Sequence, residues 1–81
     1  MQTVADTYEA LTAQLCELTK RWNTWQDIPR SQQLECKKIG ERLNAVGGKA
    51  MMTDAYYEAK SFNAAASVVR AYWNGVGDWL W

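Results

Sequence analysis

Apolar side chains recur every three or four residues along the first third of the chain. The positions that share this spacing are Val4, Tyr8, Leu11, Leu15, Leu18, Trp22 and Trp25. Such a stripe lies on one face of an α-helix, where it can pack against other elements. Thr3 and Asp6 resemble a capping box, in which polar side chains satisfy the first backbone N–H groups of a helix. We therefore predict a first helix over residues 4–25.

Two further stripes with helical spacing follow. Pro29 separates them from the first helix, because proline cannot continue a helix interior but suits the first turn of the next helix. The second stripe consists of Cys36, Ile39, Leu43 and Val46, and the third of Met52, Ala55, Ala59, Phe62, Ala66, Val69 and Trp73. Gly47 and Gly48 lie between these stripes. They favour a turn, since glycine accepts the left-handed conformation that ends many helices.

These patterns predict a small all-α fold. We expect the second and third helices over residues 29–46 and 49–73, followed by a tail over residues 74–81. Short connections make consecutive helices antiparallel neighbours. The chain is therefore expected to form a single domain, a three-helix antiparallel bundle with its tryptophan-rich tail docked at one end. Gly40 lies inside the second helix and weakens it by up to about 1 kcal/mol relative to alanine, so we expect a close helix crossing there as compensation.

The five tryptophans fall into two groups that are far apart in sequence. Trp22 and Trp25 end the first stripe, and Trp73, Trp79 and Trp81 lie in the last nine residues. In an antiparallel bundle both groups lie at the same end of the molecule. The three tryptophans of the stripes are expected to close the core there. Trp79 and Trp81 fit two roles equally well, a lid on that core or anchors for a partner, since tryptophan is enriched among the residues that dominate protein interfaces.

The charges balance over the whole chain, with nine basic and nine acidic residues, but the basic ones are concentrated in its middle. Residues 20–49 hold seven of the nine. Among them, Lys38 and Arg42 share a face of the second predicted helix, beside Lys37. This face is either a solvated outer surface or a surface that steers an anionic partner. A basic segment in a neutral domain is weak evidence for nucleic-acid binding, because dedicated binders carry a basic face on a basic domain.

The residues that catalysis and metal binding usually require are scarce. The chain contains no histidine and only two cysteines, Cys16 and Cys36, which cannot complete the usual four-ligand zinc site. Gly75, Val76 and Gly77 follow a helix rather than a strand, so they do not form a phosphate-binding loop. We therefore expect a protein that is not an enzyme and uses no cofactor and no metal. A disulfide between the two cysteines is geometrically conceivable, but reduced thiols are favoured.

The sequence also bears on where the protein acts. Polar residues interrupt every apolar stretch after a few positions, so no stretch is suited to span a membrane. The first residues lack the basic and apolar regions of a secretory signal. We therefore expect a cytoplasmic protein.

Two segments of the chain resemble a known group of proteins. They are IGERLNAVGGKAMMTDAY, residues 39–56, and WNGVGDW, residues 73–79. Small bacterial and prophage-type helical proteins pair an "IG..LN..GG...M..AY" segment with a closing "W.G.G.W" segment, and this chain is similar to them over residues 39–79. The resemblance implies no agreed activity. It implies that the glycines and the tail aromatic residues form one structural device.

Together these features predict a non-enzymatic protein–protein interaction module. Trp79 and Trp81 are its predicted anchors, and Lys37, Lys38 and Arg42 its steering face. Small size, the lack of catalytic chemistry and the prophage-type resemblance place inhibitors of the anti-CRISPR or other anti-defence kind in this class, acting on a larger protein. Two alternatives stay open. One is a nucleic-acid-associated protein that uses the basic second helix, and the other is a self-assembling structural subunit whose apolar stripes pair between chains.

Overall fold

The computed structural model describes residues 7–22 and 28–79, and every regular element in these ranges is helical. In chain order the elements are α1 (Tyr8–Thr19), α2 (Arg30–Phe62), a 3-10 helix (Ala64–Val68) and α3 (Val69–Tyr72). The predicted all-α class is therefore confirmed for the described residues. The predicted capping residues Thr3 and Asp6, and the tryptophans Trp25 and Trp81, lie outside these ranges.

α1 begins later than the predicted start at residue 4. The backbone of Thr7 is extended, and its side-chain oxygen accepts a hydrogen bond from the N–H of Ala10 at 3.1 Å. A threonine in this position is an N-cap, because it satisfies one of the backbone donors that the first turn leaves without an intrahelical acceptor. Helical geometry therefore starts at Tyr8.

α1 also ends earlier than predicted, at Thr19, although the apolar stripe continues to Trp22. Asn63 accounts for the difference. Its side-chain amide donates to the carbonyl of Thr19 at 2.7 Å and to the carbonyl of Trp22 at 2.9 Å. The carbonyl of Trp22 therefore accepts from a residue more than 40 positions away, and the carbonyl of Thr19 accepts both from that residue and from the N–H of Trp22 at 3.0 Å.

The helical geometry of α2 is interrupted at Gly48. This residue has a φ of 69° and a ψ of −163°, outside the helical range. A straight helix of 33 residues would be about 50 Å long, whereas the largest dimension of the molecule is 32 Å. The predicted break at the glycine pair is thus confirmed. We call residues 30–47 the first arm of α2 and residues 49–62 its second arm.

The end of α1 and both ends of α2 meet at one place. The indole Nε1 of Trp22 donates to the side-chain oxygen of Gln32 at 2.8 Å. Asn63, which directly follows the second arm, donates to the backbone of the same tryptophan. Gln32 near the start of the first arm and Asn63 at the end of the second arm therefore both bond to Trp22.

The third predicted helix, over residues 49–73, is interrupted at Asn63. This residue is extended, with a φ of −150° and a ψ of 115°, and its side-chain oxygen accepts from the N–H of Ala65 at 3.0 Å. The chain then continues as the 3-10 helix and the short α3. Phe62, the last residue of the second arm, was predicted to be buried but is 73% exposed.

The core draws on all of these elements. Its members are Leu11, Leu15, Trp22, Ile28, Cys36, Ile39, Leu43, Met52, Ala55, Tyr56, Ala59, Ala66, Val69, Trp73, Val76 and Trp79. The indole of Trp73 lies directly on Gly40, where an added Cβ would be 2.5 Å from its Nε1. The close approach at Gly40 is thus made by a side chain of the C-terminal segment, and the helix crossing expected there stays a prediction.

Candidate functional site

A large apolar side chain of the first arm, Leu34, is half exposed, at 50%. Lys38 and Arg42 follow it at intervals of four residues and therefore lie on the same side of the helix. We name the surface depression at this place the basic groove. It has a volume of about 430 Å³ and is lined by Gln14, Ser31, Leu34, Glu35, Lys38, Ile39 and Arg42. It lies between α1 and the first arm.

The charge of the basic groove is mixed rather than purely positive. Glu35 lies among its lining residues, and Glu41 shares the adjoining depression with Lys38 and Arg42. The structure thus brings together two of the three predicted steering residues. Lys37 is also exposed, but it is not among the residues that line the groove.

Leu34 is the functional candidate that the sequence analysis missed. It carries no unusual chemistry, and leucine is most often a core residue. Its position in the sequence could have identified it. Leu34 lies two residues before Cys36 and therefore falls outside the three- and four-residue spacing of the buried stripe. A large apolar side chain outside a helical stripe faces solvent or a partner.

Trp79 is placed in the core and is only 8% exposed. Its Nε1 donates to the carbonyl of Arg70 at 2.9 Å. Its ring makes edge contacts with Trp73 at a centroid distance of 5.2 Å and with Tyr56 at 5.9 Å. Both predicted roles of Trp79, as a lid and as an anchor, stay predictions, and the other predicted anchor, Trp81, lies outside the described residues.

The segment from Trp73 to Trp79 forms a closed turn. The N–H of Gly75 donates to the carbonyl of Trp79 at 2.8 Å, and the N–H of Trp79 donates to the carbonyl of Val76 at 2.9 Å. Gly77 has a φ of 56°, and a Cβ at this position would overlap the side chain of Asn44 on the first arm. Glycine is required here both for its backbone conformation and for the close approach.

Tyr72 connects the two tryptophan groups of the sequence, because its ring contacts Trp22 and it directly precedes Trp73. The rings of Trp22 and Tyr72 meet edge to face with centroids 6.1 Å apart. Trp73, the next residue, donates from its Nε1 to the carbonyl of Cys36 at 2.8 Å. Of the described tryptophans, Trp22, Trp73 and Trp79 are all buried, so none of them presents an open ring to a ligand.

The two cysteines are free thiols. Burial raises the pKa of Cys36 to about 12, and the neighbouring Trp73 offsets this only in part. Burial also raises the pKa of Cys16, and the negative charge of Glu58 raises it further. Since the thiolate is the reactive form, neither cysteine is activated as a nucleophile near neutral pH.

The described part of the chain also lacks two other kinds of site. Within residues 7–22 and 28–79, no three cysteine, aspartate or glutamate side chains are grouped so that they could hold a metal ion. No helix in these ranges combines the length and the apolar character needed to cross a bilayer.

No protein-family model matches the chain, and no curated protein or solved structure matches it either.

Proposed function

We propose that this protein is a non-enzymatic interaction module that binds a larger protein through the basic groove. The observation that carries the proposal is Leu34, a large apolar side chain that is half exposed beside two cations. Protein interfaces typically combine an apolar centre, which supplies most of the binding energy, with a polar rim that excludes water and sets orientation. Leu34 supplies the centre, and Lys38 and Arg42 supply part of the rim.

The charges of the groove favour an acidic protein surface over nucleic acid. Glu35 and Glu41 lie among the cations and would repel a run of phosphates. A protein partner can place carboxylates opposite Lys38 and an apolar side chain on Leu34. Lys37, next to the groove, extends the positive surface and increases the rate of encounter with such a partner.

In this proposal the protein acts by occupying a surface of its partner, which is how a small inhibitor works. Trp79 contributes by holding the fold that presents the groove, and Trp81 stays a predicted anchor. The proposed compartment is the cytoplasm, whose reducing conditions keep thiols such as Cys16 and Cys36 free.

The proposal includes an architecture, an antiparallel three-helix bundle formed by α1 and the two arms of α2. It is supported by the turn at Gly48 and by the hydrogen bonds that join Trp22 to Gln32 and Asn63. The tail would then be docked on the first arm. This is supported by the hydrogen bond from the indole of Trp73 to Cys36 and by the contact of Gly77 with Asn44.

Site-specific crosslinking in the native host tests the proposed surface. A photo-crosslinking amino acid in place of Leu34 is expected to give one major adduct with a host protein. The same amino acid in place of Phe62 is the matched control, because Phe62 is even more exposed but lies on the second arm. Lys38→Glu in the Leu34 crosslinker background is expected to reduce the adduct at least severalfold, and Lys60→Glu is not.

The alternatives give different results in the same system. Equal adducts from positions 34 and 62 would count against the basic groove. An adduct with a second copy of the chain would support the self-assembling subunit. Salt-sensitive retention of random duplex DNA that is lost in Lys37→Gln, Lys38→Gln would support the nucleic-acid alternative.

A further inference from the structure

A pocket separate from the basic groove lies between the second arm of α2 and the tail. We name it the aromatic pocket. It has a volume of about 260 Å³ and is lined by Lys49, Thr53, Tyr56, Tyr57, Lys60, Arg70 and Trp79. The first five follow the helical repeat along one side of the second arm. The last two come from α3 and the tail, so the closed turn of the tail completes the pocket wall.

The aromatic residues of this pocket differ in how freely they can move. Tyr56 is buried, and its hydroxyl donates to the carbonyl of Ser67 at 3.4 Å. It makes edge contact with Trp79 on one side and, at a centroid distance of 5.1 Å, with Tyr57 on another. Tyr57 is 60% exposed. Its ring is therefore supported by a fixed neighbour while much of its surface is open to a planar ligand.

Lys60 places a positive charge next to this open ring. Its Nζ lies 5.9 Å from the centre of the Tyr56 ring and 6.0 Å from that of Tyr57. An ammonium over two rings makes a weak cation–π contact in each case. The ammonium group of Lys60 therefore lies close enough to contact a ligand that stacks on Tyr57.

The lining of the pocket contains cations and no carboxylate. Lys49 and Lys60 lie at its two ends on the second arm. The hydroxyl of Thr53 donates to the carbonyl of Lys49 at 2.8 Å, so it has no proton left to donate to a ligand. An anion in the pocket would therefore be bound by the lysines rather than by the hydroxyl, and it would meet no negative charge among the lining residues.

We propose that the aromatic pocket binds a nucleotide, with the base stacked on Tyr57 and the phosphate bound by Lys60. A planar ring beside a cation matches a ligand that joins a flat base to an anionic group, because every base has a flat face that can stack on an aromatic side chain. The volume, about 260 Å³, lies just below the range of about 300–1,000 Å³ that is usual for ligand pockets. A single base can occupy it with the phosphate at its edge, and it is too small for a helix or a folded peptide.

The proposal goes beyond the protein-binding function, because it concerns another face of the molecule and another class of ligand. The same chemistry is offered by a free mononucleotide and by one nucleotide of a single strand. The two ligands differ outside the pocket, because a strand continues to a further phosphate and a mononucleotide does not. Lys49, about 16 Å from Lys60 along the arm by helical rise, would contact a further phosphate of a strand and not the phosphate of a mononucleotide.

Calorimetric titration of the whole protein tests the proposal at low salt. The probes are AMP, adenosine, inorganic phosphate and a four-residue oligodeoxynucleotide. AMP is expected to bind at least tenfold more tightly than adenosine or phosphate alone. Tyr57→Ala is expected to weaken AMP binding about tenfold or more, and Tyr57→Phe is expected to retain it, because the ring and not the hydroxyl is needed. Lys60→Gln is expected to bring AMP to the affinity of adenosine.

Variants outside the pocket provide the matched controls. Phe62→Ala removes an exposed ring from the same arm, and Lys38→Gln removes a cation from the basic groove, and neither should change AMP binding. Tighter binding of the oligonucleotide that is lost in Lys49→Gln would identify a strand as the source, and equal binding would identify a free nucleotide. Absence of AMP binding at millimolar concentration would overturn the proposal, as would phosphate binding as tightly as AMP.

Discussion

Thr12 in α1 has a buried hydroxyl with no hydrogen-bond partner among the described residues. The residue is only 6% exposed. An unsatisfied buried polar group costs about 1–3 kcal/mol, and valine has nearly the same shape and helix propensity as threonine. We therefore expect Thr12→Val to raise the free energy of unfolding by about 1 kcal/mol, as measured by urea denaturation.

Thr19 provides the matched control for this prediction, because it is a buried threonine at the end of the same helix. Its hydroxyl donates to the carbonyl of Cys16 at 3.3 Å. Thr19→Val removes that hydrogen bond, so it should leave the free energy of unfolding unchanged or lower it by about 1 kcal/mol. Equal gains in both variants would mean that added apolar volume, not the missing hydrogen bond, determines the effect.

Cys36 should make the stability of the protein fall at high pH. Burial raises its pKa from 9.0 to about 12. Below pH 9 the thiol is protonated in the folded and unfolded states alike. Above pH 9 the unfolded chain loses this proton while the folded chain keeps it, so unfolding becomes more favourable as the pH rises towards 12.

The size of this effect follows from the same shift. Between pH 8 and pH 10.5 the Cys36 contribution should lower the free energy of unfolding by about 2 kcal/mol. Burial also raises the pKa of Tyr72, which adds to the loss in wild type. Urea denaturation of wild type and Cys36→Ala in reducing buffer isolates the thiol, because the difference between them should shift by about 2 kcal/mol in favour of the variant. A constant difference would contradict the burial of this thiol.

At the scale of the elements, the turn inside α2 depends on Gly48. Its φ of 69° with a ψ of −163° lies in a region that is essentially restricted to glycine. A Cβ at this position would meet nothing within 4 Å, so a substitution acts through the backbone alone. We expect Gly48→Ala to lower the free energy of unfolding by about 1–3 kcal/mol, as measured by urea denaturation.

Gly47, its neighbour, gives a contrasting case. Its conformation is helical, and a Cβ there would lie 2.7 Å from the Cε and 2.8 Å from the Cβ of Met51. Gly47→Ala gains up to about 1 kcal/mol in helix propensity but clashes with the Met51 Cβ, which cannot move without its backbone. A loss in Gly47→Ala therefore reports this clash, whereas a loss in Gly48→Ala reports the backbone alone. A Gly48→Ala variant as stable as wild type would argue against a turn centred on Gly48.

The sequence predicted those helix boundaries that depend on a residue at the boundary itself. The turn at Gly48 follows from the glycine itself, and the start of α2 from Pro29. The ends of α1 and of the second arm were not predictable in this way. Both depend on Asn63, whose side chain donates to Thr19 and Trp22 across more than 40 residues. The apolar stripes continue past both ends, so periodicity alone favours longer helices.

The candidate sites, like the helix boundaries, could be predicted only in part. The spacing of Lys38 and Arg42 placed them on one face, and the structure puts both on the basic groove. The aromatic pocket could not be predicted, because one of its walls comes from Trp79. The position of that indole depends on the closed turn of the tail and on a hydrogen bond to the carbonyl of Arg70.

At the scale of the whole molecule, a chain of 81 residues has about 4–12 kcal/mol of stability to lose. The indole of Trp79 fills part of its small core and joins the tail to Tyr56 and Trp73. Removing a buried aromatic side chain costs about 3–5 kcal/mol. The loss of Trp79 should therefore affect the entire fold and not the tail alone.

We accordingly expect Trp79→Ala to lower the melting temperature by more than about 12 °C, since 1 kcal/mol corresponds to about 4–8 °C in a domain of this size. Trp79→Phe keeps a ring in the core and loses the hydrogen bond to Arg70, so its melting temperature should fall by less than half as much. Tyr57→Ala, which removes an exposed ring of the same pocket, should leave it within about 4 °C of wild type. Circular dichroism during heating measures all three. A Trp79→Ala variant that melts with wild type would place the indole outside the cooperative core, and its predicted role as an anchor would then be the better explanation of a tryptophan at this position.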